Sequence, residues 1–528
     1  MRKFLIIAVA IGVTAVLCVI GLQPASAKTL RWAFSSDINT MDPYGQTMTF
    51  TLAFLHHIYD PLVRYNKDLK IEPCLATSWK VVEPTVWRFS LRRGVKYHNG
   101  NPFNADDVVA SIKRVIHPNC VLRGNVPSVK DVRKVDDYTV DIILDGTYPL
   151  LLNDLTNIYM MDKEWMTEHN CLDPINPAKG EKSHTTMNTN GTGAFILESW
   201  QPDAKAVLVV NPNWWDKPQH NLTRIEFTPV KSDATRVAAL LSGEVDIMSP
   251  APLQDIERIN RTSGFKVLEA PSLRTVMLSF NQAPDEMNTS NIKGKNPLRD
   301  VRVRKALYYA IDVDVIHKRI MRGKSRVAGL FVAPEIAGFD ASLNDRLPYD
   351  PNTAKKLLTE AGYSDGFEVG LDCPNDRYIN DEEICQAVTS MWGKVGVKAR
   401  LTAEPFNNQM KRSMAGKVDV WMFGWATEPM LDSYSILAQV LSSPRGKLGI
   451  RNPGGYKNVK LDELVDKIAV ELDEPKRRKL IYEAFKIAKD DVPMIVLHQQ
   501  PLSWATRDGL HVVQAADDKP RFWYATMD

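Results

Sequence analysis

Thr85-Val86-Trp87-Arg88-Phe89-Ser90-Leu91-Arg92 alternates apolar and polar side chains, with Trp87, Phe89 and Leu91 on one face and Arg88, Ser90 and Arg92 on the other. A period of two marks a strand buried on one side. Asn99-Gly100 then reads as a turn. Asn104 is placed to cap a helix whose first turn carries Asp106 and Asp107 and whose inner stripe is Val108, Ile112 and Val115. Thr139 to Leu144 reads as another strand. The same grammar recurs downstream without sequence repetition. Asp300 and Asp312 precede helices through Val303, Leu307 and Ala310 and through Val315, Ile316 and Ile320. A helix over 351–361 stops at Gly362, strands follow at 367–371 and 397–403, and a helix over 381–394 lies between them. Strands and helices interleaved in this way predict a mixed α/β chain of two or three lobes. No Gly/Ser tract links them, so the boundaries belong to ordered crossings.

The 528 residues, 44% apolar and 24% charged with 28 Gly and 32 Pro, exclude disordered, collagen-like and coiled-coil classes. A formal charge of +3 excludes a general basic footprint, so nucleic acid is not an expected partner. Met1-Arg2-Lys3, an apolar run from Phe4 to Leu22 and Pro24-Ala25-Ser26-Ala27 form the three parts of a secretory signal, with cleavage expected after Ala27. The run is also near the length of a membrane span, so an uncleaved anchor is the alternative. Cys18 follows Leu17, which disfavours lipidation. Loss of 1–27 removes Arg2 and Lys3 and no acid, leaving a charge of +1. The mature chain is expected in the periplasm. Cysteines 74, 120, 171, 373 and 385 then stand in an oxidising space, and compartment and spacing pair Cys373 with Cys385 and Cys120 with Cys171. Cys74 is left as a small buried residue.

Catalytic and metal motifs are weak. Gly362-Tyr363-Ser364-Asp365-Gly366 matches a nucleophile-elbow pattern, but a helix enters it and a strand leaves it, the reverse of the required order. His56-His57 has no ligand-like spacing with a third residue. The run Glu471, Asp473, Glu474, Lys476, Arg477, Arg478, Lys479 reads as a solvated helix start. No cofactor is expected.

Ala76-Thr77-Ser78-Trp79 followed by the whole block from Thr85 through Gly94-Val95-Lys96-Tyr97-His98-Asn99-Gly100-Asn101-Pro102-Phe103-Asn104-Ala105-Asp106-Asp107 to Val108-Val109 resembles the family 5 extracellular solute-binding proteins, the peptide and nickel receptors of bacterial ABC importers. Collinear matches follow at Gly191–Phe195, Asn211–Trp215, Ala238–Asp246, Val301–Asp312 and Ala354–Leu358. The resemblance implies an α/β periplasmic binding protein with two lobes and an extra subdomain in the first. The implied boundaries are 28–65, 191–281 and 498–528 for the first lobe, 66–190 for the subdomain and 282–497 for the second lobe. Crossings are expected near Ser279-Phe280-Asn281 and Leu497-His498-Gln499. The implied partners are a small-molecule or short-peptide ligand and the permease subunits of the inner membrane, the receptor itself being a monomer and not an enzyme.

Val420-Trp421-Met422-Phe423-Gly424-Trp425 resembles the cleft strand of the family's peptide receptors, in which an acid three places after the tryptophan binds the peptide ammonium; Glu428 holds that place. Dipeptide receptors carry a carboxylate-binding arginine at a position that is Asn375 here, and Arg377 is the nearest substitute. Gly424, Trp425, Glu428, Asp432, Tyr434 and Arg377 are therefore the expected ligand-binding residues, with plain core as the alternative reading of Trp425. An opine or modified amino acid fits nearly as well as a peptide. A nickel or haem carrier using His56, His57 or His498 and an extracellular hydrolase are the remaining alternatives.

Overall fold

The computed structural model describes residues 28–176 and 180–528, so the export segment expected over 1–27 lies outside the described residues. An eleven-stranded sheet runs through both lobes. From one edge its main path runs Val397–Glu404, Phe367–Pro374, Val420–Trp425, Phe265–Phe280, Met494–Arg507, Ile247–Ser249, Thr29–Phe34, Arg224–Pro229, Lys205–Val210 and Phe195–Gln201. Its two longest strands, Phe265–Phe280 and Met494–Arg507, lie side by side near the middle and belong to both halves.

These two strands pair antiparallel from Phe265↔Arg507 to Pro271↔Pro501, lose register, resume at Thr275↔Gln499 and Val276↔His498, and after a second shift continue from Met277↔Val496 to Ser279↔Met494. A proline has no N–H for the ladder, so two prolines facing each other mark a bulge rather than continuous pairing. Beyond it, Thr275–Phe280 pairs with Val420–Trp425. Both breaks thus lie upstream of the expected Ser279-Phe280-Asn281, whereas on the second strand the second break passes over Leu497, within the expected Leu497-His498-Gln499.

Each half buries both faces of the sheet. In the first, Ala33, Val237, Leu240, Met248 and Ala505 form one small core, and Trp32, Phe54, Phe227 and Phe522 lie in a larger one that continues into the subdomain. In the second, helices Val301–Tyr309 and Asp381–Gly393 cover one face around Leu307 and Trp392. Helices Val459–Val470 and Glu474–Asp491 cover the other around Ile468 and Phe485.

The subdomain is an antiparallel sheet ordered Ala76–Glu83, Val86–Leu91, Thr139–Leu144, Val129–Asp136, packed on helix Ala105–Ile116. Trp87, Phe89 and Leu91 are buried, and on the opposite face Arg88 and Arg133 both pair with Asp141. Asn104 caps the helix, accepting from Asp106 N–H while Asp107 accepts from Asn104 N–H. The Gly362–Gly366 segment is a turn between helix Pro351–Glu360 and strand Phe367–Pro374, with both glycines at positive φ. Among the described residues no helix is long and apolar enough to cross a membrane.

Cys373 and Cys385 are joined by a disulfide. The expected Cys120–Cys171 bridge is not formed: both thiols are free and buried. Each sits beside Arg114, which is locked in a buried two-pronged ion pair with Asp42 and also donates to the Cys171 carbonyl, while the Cys120 thiol faces the Tyr44 carbonyl. Burial pushes both thiols up to about 11, so they are poor nucleophiles for disulfide exchange. Alkylation of the denatured chain should label Cys74, Cys120 and Cys171 without reductant, and Cys373 and Cys385 only after reduction. Peptide mapping that found Cys120 linked to Cys171 would contradict this arrangement.

Candidate functional site

The bulge sets the site. Where the pairing of the two crossing strands lapses, Arg274 leaves the ladder with its N–H turned to Ser272 Oγ at 3.0 Å. Its guanidinium is half-buried and makes no hydrogen bond or ion pair among the described residues. Burial and the nearby Arg377 pull its pKa down, against Tyr378, Glu428 and Asp518, which pull it up. Those four neighbours arrive from three other segments, and together they make a polar site between the lobes.

From the second lobe, strand Val420–Trp425 runs into a loop in which Thr427 and Leu431 hold positive φ, and Leu431 N–H bonds back to Thr427 O at 2.9 Å. Gly424 N–H donates to Tyr378 Oη at 2.8 Å, and a Cβ there would stand 2.6 Å from the Tyr378 ring, so only glycine allows this approach. Trp425 is half-buried: it stacks on Phe423 at 5.9 Å and donates from Nε1 to Ser435 Oγ at 3.1 Å. Glu428 lies 3.8 Å from Lys519 Nζ of the first lobe's C-terminal segment. Burial pushes the Glu428 carboxyl up to about 7, with Lys519 and Arg274 opposing.

Arg377 is exposed, its guanidinium 5.2 Å from the centre of the Phe406 ring. It is held by Asp381, whose Oδ2 accepts from the N–H of both Arg377 and Tyr378. The first lobe supplies 517–519. Asp518, at positive φ, accepts from Trp504 Nε1 at 2.7 Å, and burial pushes it up to about 6. Against the cost of burial, the two-pronged bond from Arg521 holds Asp517 below the usual carboxylate range. Lys519 is buried and donates to Asn157 Oδ1 at 3.2 Å. The cavity behind it, about 30 Å³ between Asp60, Arg64 and Lys519, has room for two or three waters at about 10–15 Å³ each, not for a solute.

Gly424, Glu428 and Arg377 are thus brought to one site, with Trp425 on the adjoining strand end. Asp432 is not available to it. Both its carboxylate oxygens are bound by Arg477, at 2.7 Å each, in a buried pair. Arg477 accordingly departs from the solvated charge run expected of it, while Lys476 and Arg478 remain exposed. Tyr434 is half-buried behind the same loop, its N–H bonded to Asp432. Sequence reading missed Arg274, Tyr378, Asp518 and Lys519. The one local signal for Arg274 was Pro271 inside an otherwise strand-like run.

The histidines weighed as metal or haem ligands are otherwise engaged or apart. His56 Nε2 meets Pro520 O at 2.7 Å, and His57 uses Nδ1 on Phe54 O and Nε2 on Phe522 N–H. His498 sits on the second crossing strand with neither ring nitrogen bonded, and burial lowers it to about 4. Asp107, Asp162 and Glu164 form a carboxylate group elsewhere, but Asp162 Oδ2 already accepts from the side-chain amides of Asn99, Asn101 and Asn190.

The family model described as bacterial extracellular solute-binding proteins, family 5 Middle, matches residues 70–447. The chain is 28% identical over 463 residues to heme-binding protein A of Haemophilus influenzae, covering 83% of this chain and 81% of the relative. It is 29% identical over 465 residues to the dipeptide-binding protein of Escherichia coli, covering 83% of each. Its fold matches that of a periplasmic binding protein, DppA from Helicobacter pylori in complex with the peptide STSA, with a TM-score of 0.76 and 23% identity over 95% of this chain and 98% of that one. The chain belongs to family 5 of the bacterial extracellular solute-binding proteins.

Proposed function

We propose that this protein is the periplasmic substrate-binding component of an ABC import system, and that its cargo is a short peptide or another small solute bearing both an ammonium and a carboxylate. Family members are receptors of ABC transporters and not enzymes. The observation that carries the choice of cargo is the Arg274 guanidinium, half-buried between the lobes with no hydrogen-bonded anion among the described residues, near a Glu428 and an Asp518 whose carboxyls burial pushes up to about 7 and about 6. A buried cation without a partner is costly, and a bound carboxylate would relieve that cost. A bound ammonium would do the same for Glu428 once it ionises. Arg377 stands close enough to add to the carboxylate side. The dipeptide-binding relative agrees with this reading, and an opine-like or modified amino acid offers the same two charges.

Closing the lobes on such a solute excludes water and strengthens each of these contacts, so affinity reflects how much better the closed form holds it. Tyr65 Oη donates to Pro429 O at 3.0 Å and Asn153 Nδ2 to Met430 O at 2.8 Å, joining the first lobe to the loop that carries Glu428. The loaded, closed form is what the permease would receive.

Mass spectrometry of whatever is released on denaturing the purified protein should find a zwitterionic solute, chemically intact; a metal ion or haem alone would overturn the reading. Glu428→Gln should weaken binding of that solute by about 1.4 kcal/mol or more, roughly tenfold, with the melting temperature of the empty protein unreduced. Equal affinity by calorimetry would remove Glu428 from the site.

The pH dependence follows from the sign of the shift. Glu428 is raised from 4.5 to about 7 in the folded chain, so the empty protein holds a proton that the unfolded chain lacks between those values and loses stability as pH rises through them. A bound ammonium favours the ionised form, so binding releases this proton. Affinity should fall as pH drops below about 7, and the calorimetric enthalpy should vary with the buffer's ionisation enthalpy. In Glu428→Gln the dependence around pH 7 should vanish, leaving only what Asp518, raised to about 6, contributes at lower pH; an unchanged dependence around pH 7 would assign the proton elsewhere.

A further inference from the structure

Between Asp432 and Asp462 the sequence holds no acid, yet it carries Arg445, Lys447, Arg451, Lys457 and Lys460. In a chain this near neutrality such a stretch is a local anomaly. It folds on the surface of the second lobe, where Pro444, Ile450, Pro453 and Lys457 line a groove of about 640 Å³ with Met414, from the end of helix Phe406–Met414. Arg445 is balanced by Asp466, and Arg299 on the groove's rim by Asp285. Arg451, Lys457 and Lys460, and Lys417 beside Met414, have no carboxylate within ion-pair distance among the described residues.

The apolar side chains between these cations are uncovered. Val459 is 72% exposed and Ile450 52%, the first being the most exposed large hydrophobic residue among the described residues, and Met414 is exposed as well. The placement of the lysines also works against local stability. Lys457 and Lys460 flank the start of helix Val459–Val470, capped by Asn458, where the helix dipole favours acids. Unpaired cations interleaved with exposed aliphatic tips, kept at a helix end that disfavours them, match what an anionic lipid surface binds: charge meets the headgroups and the aliphatic tips enter the interface.

We propose that this face of the second lobe is a peripheral contact site for anionic phospholipid, which would hold the receptor near the membrane. The contact adds to the proposed receptor role by raising the local concentration of receptor where a membrane permease lies, and it needs no cargo. It is weak and electrostatic, so salt should release it.

The test uses residues 28–528 and co-sedimentation with vesicles of phosphatidylethanolamine and phosphatidylglycerol, against phosphatidylcholine alone. The wild-type protein should partition to the anionic vesicles and come off in high salt. Lys417→Glu with Arg451→Glu and Lys457→Glu should reduce partitioning about tenfold or more. Lys355→Glu with Lys356→Glu, on another exposed helix, should leave it unchanged. Ile450→Ser alone should weaken it without altering charge. Circular dichroism checks folding, and the milder Arg451→Gln with Lys457→Gln replaces the triple variant if that one is unfolded. Equal partitioning to both vesicle types, or anionic partitioning unaffected by the groove variants, would overturn the proposal, an acidic protein partner then being the remaining occupant. No solute enters this assay, so its failure leaves the cargo reading untouched, and failure of the cargo reading leaves this one standing.

Discussion

The lapse in pairing between Phe265–Phe280 and Met494–Arg507 is the constraint on which the site depends. Both strands run through both halves of the sheet, so each lobe's core is built on one end of the same pair. Pro271 opposite Pro501 cannot continue the ladder, and the residues freed from it include Arg274. Two register shifts a few residues apart thereby mark the seam between two cores, and the first of them puts Arg274 in it. The opposing carboxylates come from loops whose own backbones are held in costly conformations: Thr427, Leu431 and Asp518 all sit at positive φ, at about 1–3 kcal/mol each. Strain concentrated around one group of charges is what a site that must grip a solute tolerates and a plain core does not.

Charge is divided so that the lobes attract through an intermediary. Among the described residues, Lys519 is the one ion-pair partner of Glu428, at 3.8 Å, longer than a good charge-assisted bond. Asp517 and Arg521 satisfy each other, as do Asp432 and Arg477, and these closed pairs stiffen the walls without drawing on the central charges. Arg274 and Arg377 as cations, with Glu428 and Asp518 as acids, are the charges on which the proposed dipolar guest would draw.

Fold and site were legible to different degrees, for physical reasons. Trp87, Phe89 and Leu91 announce their strand because alternation is a local consequence of one-sided burial, and Asn104 announces its helix because capping is local too. Glu428 came into view only through the resemblance of Val420–Trp425 to the cleft strand of the family's peptide receptors. Arg274, Asp518 and Lys519 were not, since their meeting requires strands some 240 residues apart to lie side by side. The same blindness misplaced Asp432 and Arg477: each looks like an ordinary polar residue in its own segment, and only the packing of helix Glu474–Asp491 against the cleft loop makes them a buried pair. Cys120 and Cys171 had suitable compartment and spacing for a bridge, but Arg114 and Asp42 beside them are invisible to cysteine arithmetic.

Small-angle scattering on protein stripped of its cargo by unfolding and refolding, then reloaded with the released solute, tests the account most directly. A smaller radius of gyration in the loaded protein, with the solute recovered intact, is the predicted outcome. Superimposable profiles, or a solute recovered cleaved, would contradict a receptor that closes around an unaltered guest.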